Sequence, residues 1–257
     1  MSFHSRSFTV AITCISRFVA LRDRALVRIG RARSQSAGPT VSRHSISSGA
    51  NLLDAIYVRP AIAPRAVALI CHGIAETVEH WLGVQQLLAS DGVASLVFNY
   101  SGFGRSTGFI DWLQCEQDAI AAFQALQRLA PAQPITVLGF SMGSGIAAAV
   151  INQLPAHRLI LCAAFTSFRD GARSVGLPAF LNSWVPPIWA AEKSLTGCRL
   201  PILVVHGEKD RLFPVQMAHN LKSICGANAE LIIVPGLTHC EPFIEPDLSY
   251  WGPLFPA

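Results

Sequence analysis

The sequence predicts an α/β domain on a mostly parallel sheet, and three observations lead there. Six short runs rich in Val, Ile and Leu recur along the chain: AVALICHG, VASLVFNY, PITVLGFS, HRLILCAAF, PILVVHGE and AELIIVPG. They are apolar throughout rather than alternating, the pattern of strands buried on both faces. Between them lie stretches with apolar residues at three- and four-residue spacing, such as EHWLGVQQLLAS and DWLQCEQDAIAAFQALQRL, which read as helices. Strands alternating with helices assemble into a parallel sheet through right-handed crossovers.

Taken in order, the chain opens with a basic amphipathic extension over residues 1–40. Phe8, Ile12, Ile15 and Val19 share one helical face, and arginines dominate the other. Of the formal charge of +4, residues 1–43 carry +7, from eight Arg against Asp23, which leaves the body at −3. The body is therefore mildly acidic, the basic character belongs to the leader, and no nucleic-acid partner is expected. Three readings of the extension stand: an organelle transit segment, peripheral membrane contact through residues 1–33, or a dispensable leader. Residues 41–257 form the folded domain. VSRHSIS and LLDAIYVRP alternate around the turn SGAN and predict an antiparallel hairpin, which brings the sheet to eight strands. MGSGIAAAVINQL is a helix of small and apolar residues. No apolar stretch is long enough to span a bilayer. The seven cysteines are scattered, with no C-x-x-C pair and no spacing that suits zinc. They point to reduced thiols in the cytoplasm, with an organelle or a membrane surface as the alternative set by the extension. No metal or cofactor is called for.

The stretch GFSMGSG, residues 139–145, interrupts this regular pattern. It lies where the strand PITVL meets a helix, so Ser141 sits on a sharp turn whose neighbours two positions away must be small, as Gly139 and Gly143 are. G-x-S-x-G at a strand-to-helix seam holds a serine hydroxyl above the sheet edge, over the positive end of the helix. A serine hydroxyl needs a base, and the base needs an orienting group. Asp210 and His239 each lie just beyond the end of a later strand, on the same edge of the sheet as Ser141. Asp210 could instead cap the helix near Pro214, and a lone loop histidine is commonly only solvated. The backbone N–H groups of Met142 and of Ile74, in the loop after AVALICHG, suit an oxyanion hole. His72 reads as structural.

The stretches CHGIAETVEHW, NYSGFGRSTG, GFSMGSG, HGEKDRLFP and PGLTH together resemble the signatures of the α/β-hydrolase superfamily. Within it they are most similar to the compact serine hydrolases of the monoacylglycerol-lipase-like and Bem46-like branch. The resemblance spans roughly residues 41–250. It implies an α/β-hydrolase fold with helices on both faces and a small lid or none. It also implies a cofactor-independent serine hydrolase that cleaves carboxylic esters or thioesters of small molecules through an acyl-enzyme. In that scheme Ser141 is the nucleophile, Asp210 the acid, His239 the base, and Ile74 and Met142 the oxyanion donors. A peptidase or amidase of the same fold, or a non-catalytic binding protein, is the alternative. Two departures stand out: Ser144 replaces a frequent glycine, and Ile74 is bulkier than the glycine of related esterases.

Three further stretches carry expectations. GFGRSTG reads as a tight loop at the mouth of the site rather than a dinucleotide fingerprint, since Thr107 holds the third glycine position and no helix starts there. Asn99 in NYS matches a glycosylation sequon but ends a strand. The apolar segment before PILVVHG carries Phe180, Trp184 and Trp189 as candidates for a substrate pocket, either under a small lid or simply packed on the sheet.

Overall fold

The computed structural model describes residues 38–256; the extension over residues 1–33 lies outside them. Eight strands form one sheet: β1 Thr40–Ser48, β2 Asn51–Arg59, β3 Ala66–Cys71, β4 Val93–Phe98, β5 Ile135–Phe140, β6 Arg158–Cys162, β7 Ile202–Gly207 and β8 Ala229–Val234. Their order is β1-β2-β4-β3-β5-β6-β7-β8. The hairpin pairs antiparallel, with Val41 opposite Val58, and β2 meets β4 antiparallel. From β4 onward every pairing is parallel. The expected eight-stranded sheet with an N-terminal hairpin is therefore present.

The six apolar runs differ in one respect from the prediction of strands buried on both faces. β4, β5 and β7 are buried at every residue. β8 is not, and Ile232 on it is 40% exposed. It is the last strand of the sheet and, among the described residues, pairs on one side only.

The helices divide between the two faces. On one face pack α1 (Val78–Ser90) and α8 (Leu248–Trp251), whose Trp81, Leu88 and Trp251 join Ile70, Leu138 and Val205 of the sheet. On the other pack α2 (Trp112–Leu129), α3 (Met142–Val150), α5 (Ala191–Leu195) and α6 (Gln216–Cys225), which meet Leu69, Val137, Leu161 and Val204. Two short helices, α4 (Phe168–Ser174) and α7 (Glu241–Ile244), lie in the loops after β6 and β8. Among the described residues no helix is long and apolar enough to cross a membrane.

Topology positions the site. The chain leaves β3 for β4 on one side, then returns to β5 on the other side of β3. Such a reversal opens a crevice at the carboxyl ends of the two strands. Here Cys71 pairs with Gly139, so the loop after β3 and the GFSMGSG turn begin as neighbours.

The GFGRSTG loop is tight, as expected, and α2 starts only at Trp112. Asn99 is fully buried: its side chain accepts from the Val78 N–H and donates to Asp54. That excludes it as an accessible sequon in the folded chain. The loop is anchored by Asp118, a buried carboxylate on α2. It accepts from Ser48 Oγ (2.6 Å), Ser101 N–H (2.7 Å) and the Gln114 side-chain amide (2.9 Å), and so ties β1, the loop and α2 together. Asp118→Ala leaves Ser48 Oγ–H and the Ser101 N–H without that acceptor, while Gln114 keeps Ser48 Oγ at 3.2 Å; each buried donor left unpaired costs about 1–3 kcal/mol. The variant is expected to lose about 2–4 kcal/mol of stability, read as a lower denaturant midpoint at unchanged slope.

Candidate active site

Ser141 stands between β5 and α3 with φ 52° and ψ −120°. A side chain in that region is strained by about 1–3 kcal/mol, and the surroundings enforce it. The Ser141 N–H donates to the Cys162 carbonyl at 3.0 Å. Its own carbonyl accepts from Ser144 twice, from the N–H at 3.0 Å and from Oγ at 2.6 Å. The departure at Ser144 thus has a use, because its hydroxyl secures the strained residue. Small neighbours are required as expected. A Cβ at Gly139 would collide with the Gly143 backbone, and one at Gly143 would collide with the Cys71 carbonyl.

Asp210 and His239 both reach this turn. His239 Nε2 lies 2.9 Å from Ser141 Oγ, and His239 Nδ1 lies 2.7 Å from Asp210 Oδ2. The imidazole packs against Phe140 and Phe213, at ring separations of 5.7 Å and 5.1 Å. Asp210 and His239 are each 7% exposed. Asp210 Oδ1 accepts from the Leu212 and Phe213 N–H groups, both at 2.9 Å. Its two oxygens therefore have separate tasks, one holding the turn and one facing the histidine. Burial pushes the Asp210 carboxyl up. The hydrogen bond and charge of His239, the Phe213 N–H and His206 outweigh that push, so it is held below the usual carboxylate range.

Ile74 follows Gly73 in the loop after β3, and Met142 opens α3. Among the described residues neither backbone N–H has a protein acceptor. His72 is fully buried under Tyr100 and Phe103, at ring separations of 4.6 Å and 5.8 Å. Burial lowers its pKa to about 4, so it is neutral, in keeping with a structural role.

The three aromatic candidates for the substrate pocket do not share one surface. Phe180 is 78% exposed and Trp184 49% exposed. Trp189, at φ 49°, packs its ring against Trp112 and Phe168, with Nε1–H donating to Glu116 at 3.0 Å. Its ring belongs to the packed interior. A cleft of about 420 Å³ is lined by Glu208, Lys209, Asp210, Arg211 and Thr238. Among the described residues no group of three His, Cys, Asp or Glu could hold a metal ion.

Two residues at the site escaped the sequence reading. His206, at the end of β7, donates from Nε2 to the Phe213 carbonyl at 2.8 Å and lies 3.4 Å from Asp210 Oδ2. Burial pushes its pKa down, so a neutral imidazole backs the turn that carries Asp210. Glu76 lies in the loop after β3. Its Oε2 accepts from Gly73 N–H at 2.7 Å and from Trp81 Nε1–H at 2.8 Å. Burial raises the Glu76 carboxyl to about 7, against the opposing pull of those two N–H groups and of His239. The available signal was an acid inside the otherwise apolar HGIAE stretch.

The "Serine aminopeptidase, S33" family model matches residues 62–191, a stretch that holds Ile74, Ser141 and Met142 and stops before Asp210 and His239. The lysophosphatidylserine lipase ABHD12 of Macaca fascicularis is 28% identical over 192 residues, 66% of this chain and 48% of that protein. The monoacylglycerol lipase of Mycolicibacterium smegmatis is 27% identical over 262 residues, 81% of this chain and 93% of that one. The chain thus spans about half the length of the ABHD12 proteins it matches, and nearly all of the bacterial lipase. Among solved structures, an esterase of Pyrococcus furiosus superposes with a TM-score of 0.67 at 18% identity, covering 89% of this chain and 95% of that one. A predicted CIB-like hydrolase of Thermoplasma acidophilum gives 0.59 at 20% identity, covering 81% and 93%. Both share the fold.

The raised Glu76 pKa has a consequence for stability. An unfolded chain releases that proton near the usual glutamate value of 4.5, whereas the folded chain holds it to about 7. In that window the folded state binds the extra proton, so raising the pH removes stability. Glu76→Gln, which cannot ionise, is expected to gain stability relative to wild type as pH rises through the window and to level off above it. Thermal midpoints of both proteins across the range test this, and a constant difference would contradict it.

Proposed function

Because the chain belongs to the serine aminopeptidase S33 family of α/β-hydrolases, we propose that it is a serine hydrolase that cleaves carboxylic esters through a covalent acyl-enzyme. The observation that carries this reading is the unbroken hydrogen-bond chain from Ser141 Oγ through His239 to Asp210. Asp210 fixes the tautomer in which His239 Nδ1 carries the proton, which leaves Nε2 free to accept from the serine hydroxyl. Ser141 Oγ attacks the ester carbonyl as Nε2 takes its proton. The carbonyl oxygen becomes an oxyanion, held by the Met142 and Ile74 N–H groups. Each such donor contributes about 3–4 kcal/mol to stabilising the transition state. His239 then returns the proton to the departing alcohol, leaving Ser141 acylated. Water, activated by the same imidazole, repeats the sequence and frees the acid.

The substrate is proposed as an ester of a hydrophobic acid. Relatives that are monoacylglycerol and lysophosphatidylserine lipases support this choice, and so do the exposed rings of Phe180 and Trp184. The basic amphipathic pattern of residues 1–33 supports access to an anionic membrane surface, where such esters reside. Thioesters suit the same machinery. A second reading, amide or peptide cleavage, rests on the description of the matching family. A non-catalytic binding protein would have no need of the complete hydrogen-bonded chain.

Two measurements test the proposal. A fluorophosphonate probe is expected to label the wild type and not Ser141→Ala, and ester hydrolysis in that variant should fall by about 10⁴–10⁶-fold. An unlabelled wild type would overturn the reading. The p-nitrophenyl esters of a graded acyl series, set against the p-nitroanilides of the same acids, should show higher kcat/KM for the esters, rising with chain length. Preference for the anilides would favour the peptidase reading.

A further inference from the structure

One acidic group at the site has no place in the steps above. The Glu76 carboxylate is enclosed in the loop after β3, and both of its hydrogen bonds converge on one oxygen: Gly73 N–H at 2.7 Å and Trp81 Nε1–H at 2.8 Å. The other oxygen lies over the Gly73 Cα, where a Cβ would come within 2.6 Å of it. The carboxylate therefore fills the space that a side chain at residue 73 would take.

The Gly73 carbonyl is held as well. His72 Nδ1–H donates to it at 2.7 Å, and the Glu76 N–H approaches it at 3.4 Å. His72 is in turn fixed by Tyr100, whose hydroxyl donates to the His72 carbonyl at 3.2 Å. The Gly73 carbonyl and the Ile74 N–H belong to one planar peptide unit. Fixing that carbonyl on one side fixes the direction of the N–H on the other.

We infer that Glu76 is a positioning residue of the oxyanion hole, its carboxylate clamping Gly73 between Trp81 and His72 so that the Ile74 N–H points at the developing oxyanion. This rests on the reading of Ser141 as nucleophile and Ile74 as oxyanion donor. Trp81 ties the clamp to the nucleophile turn. Its ring meets Phe140 edge-on at 5.7 Å, and Phe140 precedes Ser141 and packs on His239. A rigid loop is what this chemistry requires, because an oxyanion donor works only when aimed in advance. A loop without the clamp binds the ground-state ester as before and loses hold of the transition state.

The test uses the full chain with Glu76→Ala, Glu76→Gln and Trp81→Phe. It reads kcat and KM on a p-nitrophenyl ester and the inhibition constant of an alkyl boronic acid, whose tetrahedral adduct on Ser141 mimics the transition state. Glu76→Ala is expected to lower kcat by about 10–100-fold with KM changed less than about threefold, and to weaken boronate binding in proportion. Glu76→Gln should recover most of both, since its amide oxygen can accept the same two N–H groups. Trp81→Phe, which keeps the ring stack and removes one donor, should fall between, and it decides the matter should Glu76→Ala not fold. Wild-type kcat and boronate affinity in folded Glu76→Ala would overturn the inference alone, as would a loss that lies in KM. A wild type that neither labels with fluorophosphonate nor hydrolyses ester would overturn the catalytic reading and this inference with it.

Discussion

The arrangement depends on one close approach, that of α3 to the end of β3. The first turn of α3 lies so near the Cys71 carbonyl that residue 143 can carry no side chain. That contact follows from the pairing of β3 with β5 and from the immediate turn of β5 into α3. Ser141 is consequently forced to φ 52°, and its hydroxyl stands 2.9 Å from His239 Nε2. Loosen the contact and the serine relaxes toward an ordinary conformation. Hydrogen bonds to Cys162 and from Ser144 hold the turn against that relaxation.

Electrostatics at the site follow from burial. His72 and His206 are both buried and both depressed, so each is a neutral donor to a backbone carbonyl. His239, by contrast, faces a carboxylate held ionised by its own hydrogen bonds. The same residue type thus serves two roles, set by what lies opposite each ring: a carbonyl needs only a donor, and a carboxylate can orient a base. Glu76 marks the other extreme. It is an acid raised by enclosure and tempered by two N–H groups.

Much of this was legible in the sequence, because much of it concerns where the chain turns. Apolar runs that end in Gly, Ser, Asn or His mark strand ends, and strand ends in a parallel sheet share an edge. That alone brought Ser141, Asp210 and His239 to a common rim, and it suggested Gly139 and Gly143 as obligatory. What could not be read is the direction of a side chain on an irregular segment. Trp189 looks the same in sequence as Trp184, yet one is buried and the other lies half exposed at the surface. Glu76 and His206 were passed over because their significance lies in partners that only the folded loops supply. β8 read as a buried strand because composition does not distinguish the last strand of a sheet from the one beside it.

The serine and its histidine are separated by 98 residues, and the acid precedes that histidine by 29. Ser141 therefore comes with β5, while its two hydrogen-bonded partners arrive only with β7, β8 and the loops that follow them. On the proposed mechanism, a chain still emerging from the ribosome, or one nicked before β7, would carry that serine without its base and its acid. Turnover would then report on the completed sheet.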